Sequence, residues 1–154
     1  MTASTLTQPR TLPDSSWAPA TLATLADRRD RLTGLLDGAG WSAEEAFGVL
    51  TATTEAVANA VQHGSTPGSE IAVAFRVTER LAEVAVLDRG GPGSLERTSP
   101  TTLSDEAECG RGLILMEGLA DRLGICSAGS GTFVLMEFSR GSTDRAGSRS
   151  DSER

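Results

Sequence analysis

Glu55, Asn59 and His63 recur every four residues in the run Thr54-Glu-Ala-Val-Ala-Asn-Ala-Val-Gln-His-Gly64. At helical pitch each is turned only about 40° from the one before, so a carboxylate, an amide and an imidazole share one stripe. A carboxylate can act as a general base, and an amide oxygen can ligate a hard cation. The residues between them are almost all Ala and Val, which belong in a core. A polar stripe on such a helix costs free energy unless something polar faces it. Two glycine-rich segments downstream, Asp88-Arg-Gly-Gly-Pro-Gly93 and Gly110-Arg-Gly112, are the candidates for its other contacts. His63, the only histidine, is read as a helix-end residue, where a cation is favoured, rather than as a catalytic one.

The elements that must hold this stripe follow from apolar spacing. Ser15-Ser16-Trp17-Ala-Pro19 reads as a helix start, and Leu22, Leu25, Leu32, Leu35 and Leu36 continue it to Gly38-Ala-Gly40. Ser42 and Glu45 form a capping box that opens a second helix running to His63. Ile71, Val73, Phe75 and Val77 alternate as a strand, Glu79-Arg80 turns, and Leu81 to Asp88 returns as the second strand of a hairpin. Residues 89–111 read as a long loop or lid rich in Gly, Pro, Ser and Thr. Gly112 to Ala120 is a short helix; Leu123–Ser127 and Thr132–Phe138 are strands. Residues 1–9 are read as a tail or edge strand, with a weak strand pattern over Thr5–Leu12 that Pro9 interrupts. Residues 10–139 form one domain and 140–154 a disordered tail. The expected fold is α+β, a two-layer sandwich with helices on one face of a mostly antiparallel mixed sheet.

Composition removes several function classes. The 154 residues carry a net charge of −7, which argues against non-specific nucleic-acid binding. All 14 basic residues are arginine, so a P-loop and a Schiff-base mechanism are both excluded for want of a lysine. No apolar run approaches the roughly 18 residues that span a bilayer, and no secretory signal opens the chain. The expectation is a cytoplasmic protein with free thiols at Cys109 and Cys126, the latter in the core. Trp17 and Trp41 are read as packing or interface residues.

A nucleotide bound without a P-loop needs a carboxylate for the adenine amino group and glycines where backbone approaches base and phosphates. It also needs free amides at a helix start and a few oxygen ligands for Mg²⁺. Asp88, at the end of an apolar strand, supplies the carboxylate; Gly90, Gly91 and Gly93 follow at once. Gly110-Arg111-Gly112 leads into a helix, with Arg111 able to pair with phosphate. Asn59 can offer an amide oxygen to the metal, and Glu55, one turn away, can act as base.

Glu55-x3-Asn59-x3-His63, Asp88-x-Gly90, Gly110-x-Gly112-Leu113 and Gly131-Thr132 together resemble the N, G1, G2 and G3 boxes of the GHKL (Bergerat-fold) ATPase superfamily. The run Gly110-Arg-Gly-Leu-Ile-Leu-Met-Glu-Gly-Leu-Ala-Asp121 resembles its bacterial anti-sigma-factor serine kinase branch. The resemblance covers roughly residues 10–138. It implies ATP and Mg²⁺ as cofactors, with Asn59 on the metal and Glu55 deprotonating a protein serine. It implies that Asp88 recognises adenine, with Gly90 against the base and Thr132 helping to hold it. Gly93, Gly110, Arg111, Gly112 and Leu113 would belong to the lid and phosphate cradle. Its implied partners are a sigma factor and an anti-anti-sigma STAS-domain protein as phosphorylation substrate. A homodimer is implied too, with the first helix and strand as candidate interface. One departure stands out: Pro92 occupies the place of the first box's second glycine. A nucleotide-gated anti-sigma or adaptor module with little kinase activity is therefore the alternative. A histidine-kinase catalytic domain is not expected, because the single histidine lies on the site helix itself.

Overall fold

The computed structural model describes residues 16–63, 68–89, 108–128 and 131–141. The expected strand over Thr5–Leu12, residues Gly90 to Gly93 and the tail beyond residue 141 lie outside them. The elements run β1 (Trp17–Pro19), α1 (Leu22–Gly38), α2 (Ala43–His63), β2 (Glu70–Val77), β3 (Leu81–Asp88), α3 (Glu108–Leu119), β4 (Arg122–Ala128) and β5 (Gly131–Ser139). The sheet order is β1-β2-β3-β5-β4, and every described strand pair is antiparallel. With the helices packed on one face, this is the α+β sandwich that the sequence implies.

α2 is the central element, lying between α1 and α3. Val49, Ala52, Ala56, Val57 and Ala60 bury its inner face against Ile71, Val73, Val84, Val86 and Met136 of the sheet. Thr53 and Thr54 sit within this apolar helix because their hydroxyls donate to the carbonyls of Val49 and Leu50, each at 2.7 Å. The capping box closes as spaced: Glu45 N–H donates to Ser42 Oγ at 3.2 Å, and Ser42 N–H to Glu45 Oε2 at 2.8 Å.

Glu45 has a second partner. Arg140, just past β5, donates from Nε to Glu45 Oε1 at 3.0 Å and from Nη1 to the Glu79 carbonyl at 3.2 Å. The Ser42 backbone N–H, and after it the Arg140 guanidinium, hold the Glu45 carboxyl below its usual value. A carboxyl with a lowered folded pKa stabilises the fold above its unfolded value, and that share is lost as pH falls through the folded one. Glu45→Gln is therefore expected to melt below the wild type at pH 7. The gap should close as acid titrates Glu45, below the ordinary carboxylate range. Thermal melts of both proteins from pH 7 downward check this, and a gap that does not vary with pH would contradict it.

Two local expectations are corrected. Trp17–Pro19 is not a helix start but an edge strand, paired Trp17↔Ala72 and Pro19↔Glu70. The helix begins at Leu22, with Thr21 as N-cap. The Ser and Pro signals are local, while the strand is defined by pairing with a distant segment. Cys126 is exposed rather than core, because β4 is the edge strand and its Cys126 lies opposite Phe133 on the face away from the helices. Trp41 is buried, and its Nε1 donates to the Thr78 carbonyl at 2.8 Å.

Candidate active site

The C-terminal half of α2 leads into the start of β2, and Ile71 of β2 lies opposite Asp88 of β3, which lies opposite Thr132 of β5. Glu55, Asn59, Asp88 and Thr132 therefore gather toward one end of the sheet. The N-terminal part of α3 reaches the α2 stripe at Gly112. A Cβ placed on Gly112 would lie 3.0 Å from Glu55 Oε2, 3.2 Å from Asn59 Nδ2 and 3.5 Å from Asn59 Oδ1. The carboxylate and the amide are thus both half-buried against the backbone of α3, and a side chain at position 112 would crowd them by a few tenths of an ångström. Farther along, a Cβ on Gly48 of α2 would lie 3.7 Å from Leu119 Cδ2 of α3, so the two helices run antiparallel.

The start of α3 differs from the expected one. The helix opens at Glu108, so Gly110, Arg111 and Gly112 lie inside its first turns instead of preceding it. The amides of residues 108–110 have no partner within the helix, and they lie one turn earlier than the sequence suggests. Glycine is a poor helix former and reads locally as a breaker. Packing against α2 outweighs that preference here. Arg111 is exposed, and Leu113 is half-buried against the core. His63 is the last residue of α2.

A second cluster forms at the β3–β5 junction. Thr132 N–H donates to Asp88 Oδ1 at 3.1 Å, which orients a half-buried carboxylate at the end of an apolar strand. Gly131 makes this approach possible. Its φ is +143°, and a Cβ there would overlap the Asp88 carbonyl oxygen. The structural work of Gly131 is not visible in the sequence, although the Gly131-Thr132 pair itself is. Arg89, next to Asp88, also has a place that the sequence does not announce. Its guanidinium lies 4.0 Å from the Trp17 ring centroid and 3.4 Å from Glu70 Oε2, clamping β1 onto the end of β3. Trp17 thus packs under a cation, and an Arg following a strand-end acid could have suggested such a clamp.

An apolar helix presenting Glu55 and Asn59 to a glycine-bearing helix start, beside an oriented strand-end aspartate, matches a known domain. Residues 18–138 match the histidine kinase-like ATPase domain. The chain belongs to that family. Within it the chain is a GHKL domain of the anti-sigma kinase branch, as the order of its glycine boxes implies. It is similar to the serine-protein kinase RsbW of Bacillus pumilus (strain SAFR-032), 34% identical over 117 residues that cover 68% of this chain and 72% of the relative. It is also similar to the serine-protein kinase RsbW of Bacillus subtilis (strain 168), 28% identical over 120 residues, covering 71% of this chain and 75% of that one. Among solved structures it is similar to the RsbU and RsbW domains of Rv1364c from Mycobacterium tuberculosis. There the TM-score is 0.57 and the identity 21%, covering 82% of this chain and 33% of that longer one, a likeness of fold.

Proposed function

We propose that this chain is an ATP-binding anti-sigma factor and serine/threonine protein kinase, which phosphorylates an anti-anti-sigma STAS-domain antagonist in a partner-switching system. The observation that carries this is the placement of Glu55 and Asn59 together against Gly112 of α3. In this reading Asp88 accepts from the adenine amino group, held in place by Thr132 N–H. The amides of residues 108–110 and the Arg111 guanidinium face the phosphates. Glu55 takes the proton from the acceptor serine hydroxyl as its oxygen bonds to the γ-phosphorus and ADP leaves. A homodimer that binds a sigma factor completes the reading.

Magnesium fits the donor set. Among the described residues no three His, Cys, Asp or Glu side chains are grouped to hold a metal. Mg²⁺ commonly takes only one or two protein ligands and fills its shell with phosphate oxygens and water. Asn59 Oδ1 would be that ligand, and the ion would neutralise phosphate charge when bound. Pro92 in the first glycine box keeps an adaptor with little kinase activity as the alternative.

The deciding experiment mixes the chain with Mg-ATP and a candidate STAS-domain partner and follows partner mass. Gain of one phosphate is expected; nucleotide binding without any gain would leave the adaptor. Phosphate added at the contact would break it by charge and desolvation, releasing the antagonist. For the base pocket, Asp88→Asn is expected to weaken ATP by about tenfold or more, as loss of a charge-assisted hydrogen bond implies. Pyrophosphate should be weakened far less. Calorimetry with both ligands checks this, and equal losses would remove adenine recognition from Asp88.

A further inference from the structure

The ladder between β2 and β3 ends at the pair Ile71 and Asp88, and Asp88 also lies opposite Thr132 of β5. Side chains alternate along a strand, so Asp88 shares the helical face of the sheet with the buried Val84 and Val86. The next residue, Arg89, serves the other face. Its guanidinium lies 4.0 Å from the Trp17 ring centroid, and its Nη1 donates to Glu70 Oε2 at 3.4 Å. Trp17 pairs with Ala72, which alternates with the core residues Ile71 and Val73, so the ring and Glu70 both stand on the side away from the helices. The side chain of Arg89 thus carries the attachment of β3 one residue beyond its ladder. From the other flank Gly131 of β5 presses on the same peptide. A Cβ there would overlap the Asp88 carbonyl oxygen and lie 3.2 Å from Arg89 Cα. The Asp88–Arg89 peptide is therefore held between β5 and a side-chain clamp to β1 and β2.

We propose that Trp17, Glu70 and Arg89 are positioning residues of the base pocket, which aim the Asp88 carboxylate from the opposite face of the sheet and couple β1 to nucleotide occupancy. This rests on the reading of Asp88 as the acceptor for adenine. The side chains of Arg89 and Glu70 are 57% and 44% exposed, and such ion pairs and cation–π contacts add little to stability. What they fix is a direction, as supporting contacts do for a group that meets a ligand. Without them the 88–89 peptide keeps its β5 neighbour but loses its hold on the β2 side, and the carboxylate follows the peptide. Coupling of this kind is reciprocal. A base held by Asp88 steadies the peptide and with it the Arg89 guanidinium over Trp17, so β1 docks more firmly with nucleotide than without. A ligand shifts an equilibrium only by its differential affinity for the two states, and two exposed contacts keep that difference small.

Calorimetry of the full chain with ATP and with pyrophosphate tests this on Asp88→Asn, Arg89→Ala, Glu70→Gln, Trp17→Ala and Trp17→Phe. The readout is the ratio of the two affinities, because a change in folded fraction or in the field at the phosphates acts on both ligands. Arg89→Ala and Trp17→Ala should each lower the ratio by about three- to tenfold, and Glu70→Gln by about twofold, the scale of exposed contacts. Trp17→Phe keeps a ring beneath the cation and should retain most of the ratio. A second readout is emission. Trp17 is one of two tryptophans, and the other, Trp41, is buried and bonded to the Thr78 carbonyl at the far end of β2. ADP should change the emission of the wild type and leave that of Trp17→Phe unchanged. If Asp88→Asn lowers the ratio while Arg89→Ala and Trp17→Ala do not, the clamp is overturned and Asp88 keeps its role. If Asp88→Asn weakens both ligands equally, adenine recognition by Asp88 falls and the clamp falls with it. If Arg89→Ala alone lowers the ratio, with Trp17→Ala and Glu70→Gln at the wild-type value, Arg89 meets the nucleotide itself and the clamp is again overturned. Wild-type emission that ignores ADP overturns the coupling to β1.

Discussion

Glu55→Ala is expected to slow phosphoryl transfer to the partner by about 10²–10⁴-fold, the usual share of a general base. Nucleotide affinity should stay within about threefold, because a base acts on the transition state rather than on ground-state binding. The geometry makes this a clean test. Glu55 Oε2 lies close against Gly112 of α3, so shortening the side chain adds no clash to the α2–α3 seam. Asn59→Ala is the contrasting arm. It removes the amide oxygen one turn away, and the binding that depends on Mg²⁺ should fall while metal-free binding changes little. Single-turnover transfer and calorimetry, with and without Mg²⁺, separate the two. If Glu55→Ala transfers at the wild-type rate, the base lies elsewhere; if it abolishes nucleotide binding, its role is structural.

The parts legible in the sequence are those with short-range signals. α2 announces itself through the Ser42–Glu45 box and a long apolar period, and its polar stripe places Glu55 and Asn59 four residues apart on one face. The β2–β3 hairpin is likewise local, with alternation and a turn between its strands. What escaped depends on distant contacts. Trp17–Pro19 carries helix-start residues but becomes a strand by pairing with Ala72. Cys126 sits in an apolar run, and only its place on an edge strand exposes it. The first two turns of α3 contain two glycines that locally argue against a helix, while one of them lies where α3 approaches the α2 stripe. At the site, residue types and order were readable, but the bond that orients Asp88 comes from an amide 44 residues away.

That bond leads to the other large expected effect. Gly131→Ala is expected to destabilise the fold by about 1–3 kcal/mol or more, since it sets a Cβ against both a conformation that L residues avoid and a neighbouring carbonyl. The backbone there has φ +143°, and the added carbon would overlap the Asp88 carbonyl oxygen, so β5 must draw away from β3 at that point. Drawing away lengthens the Thr132 N–H bond to Asp88 Oδ1 and loosens that hold on the carboxylate. Affinity for ATP should then fall further than affinity for pyrophosphate, the pattern expected of Asp88→Asn, although the aspartate is untouched. Gly124→Ala, in the strand paired with β5, is the control, because a Cβ there meets nothing within 4 Å. Denaturant melts and calorimetry on the pair give the answer. If Gly131→Ala behaves like Gly124→Ala in both, the close approach of β5 to Asp88 does not position the carboxylate, and adenine recognition by a fixed strand-end acid loses its support.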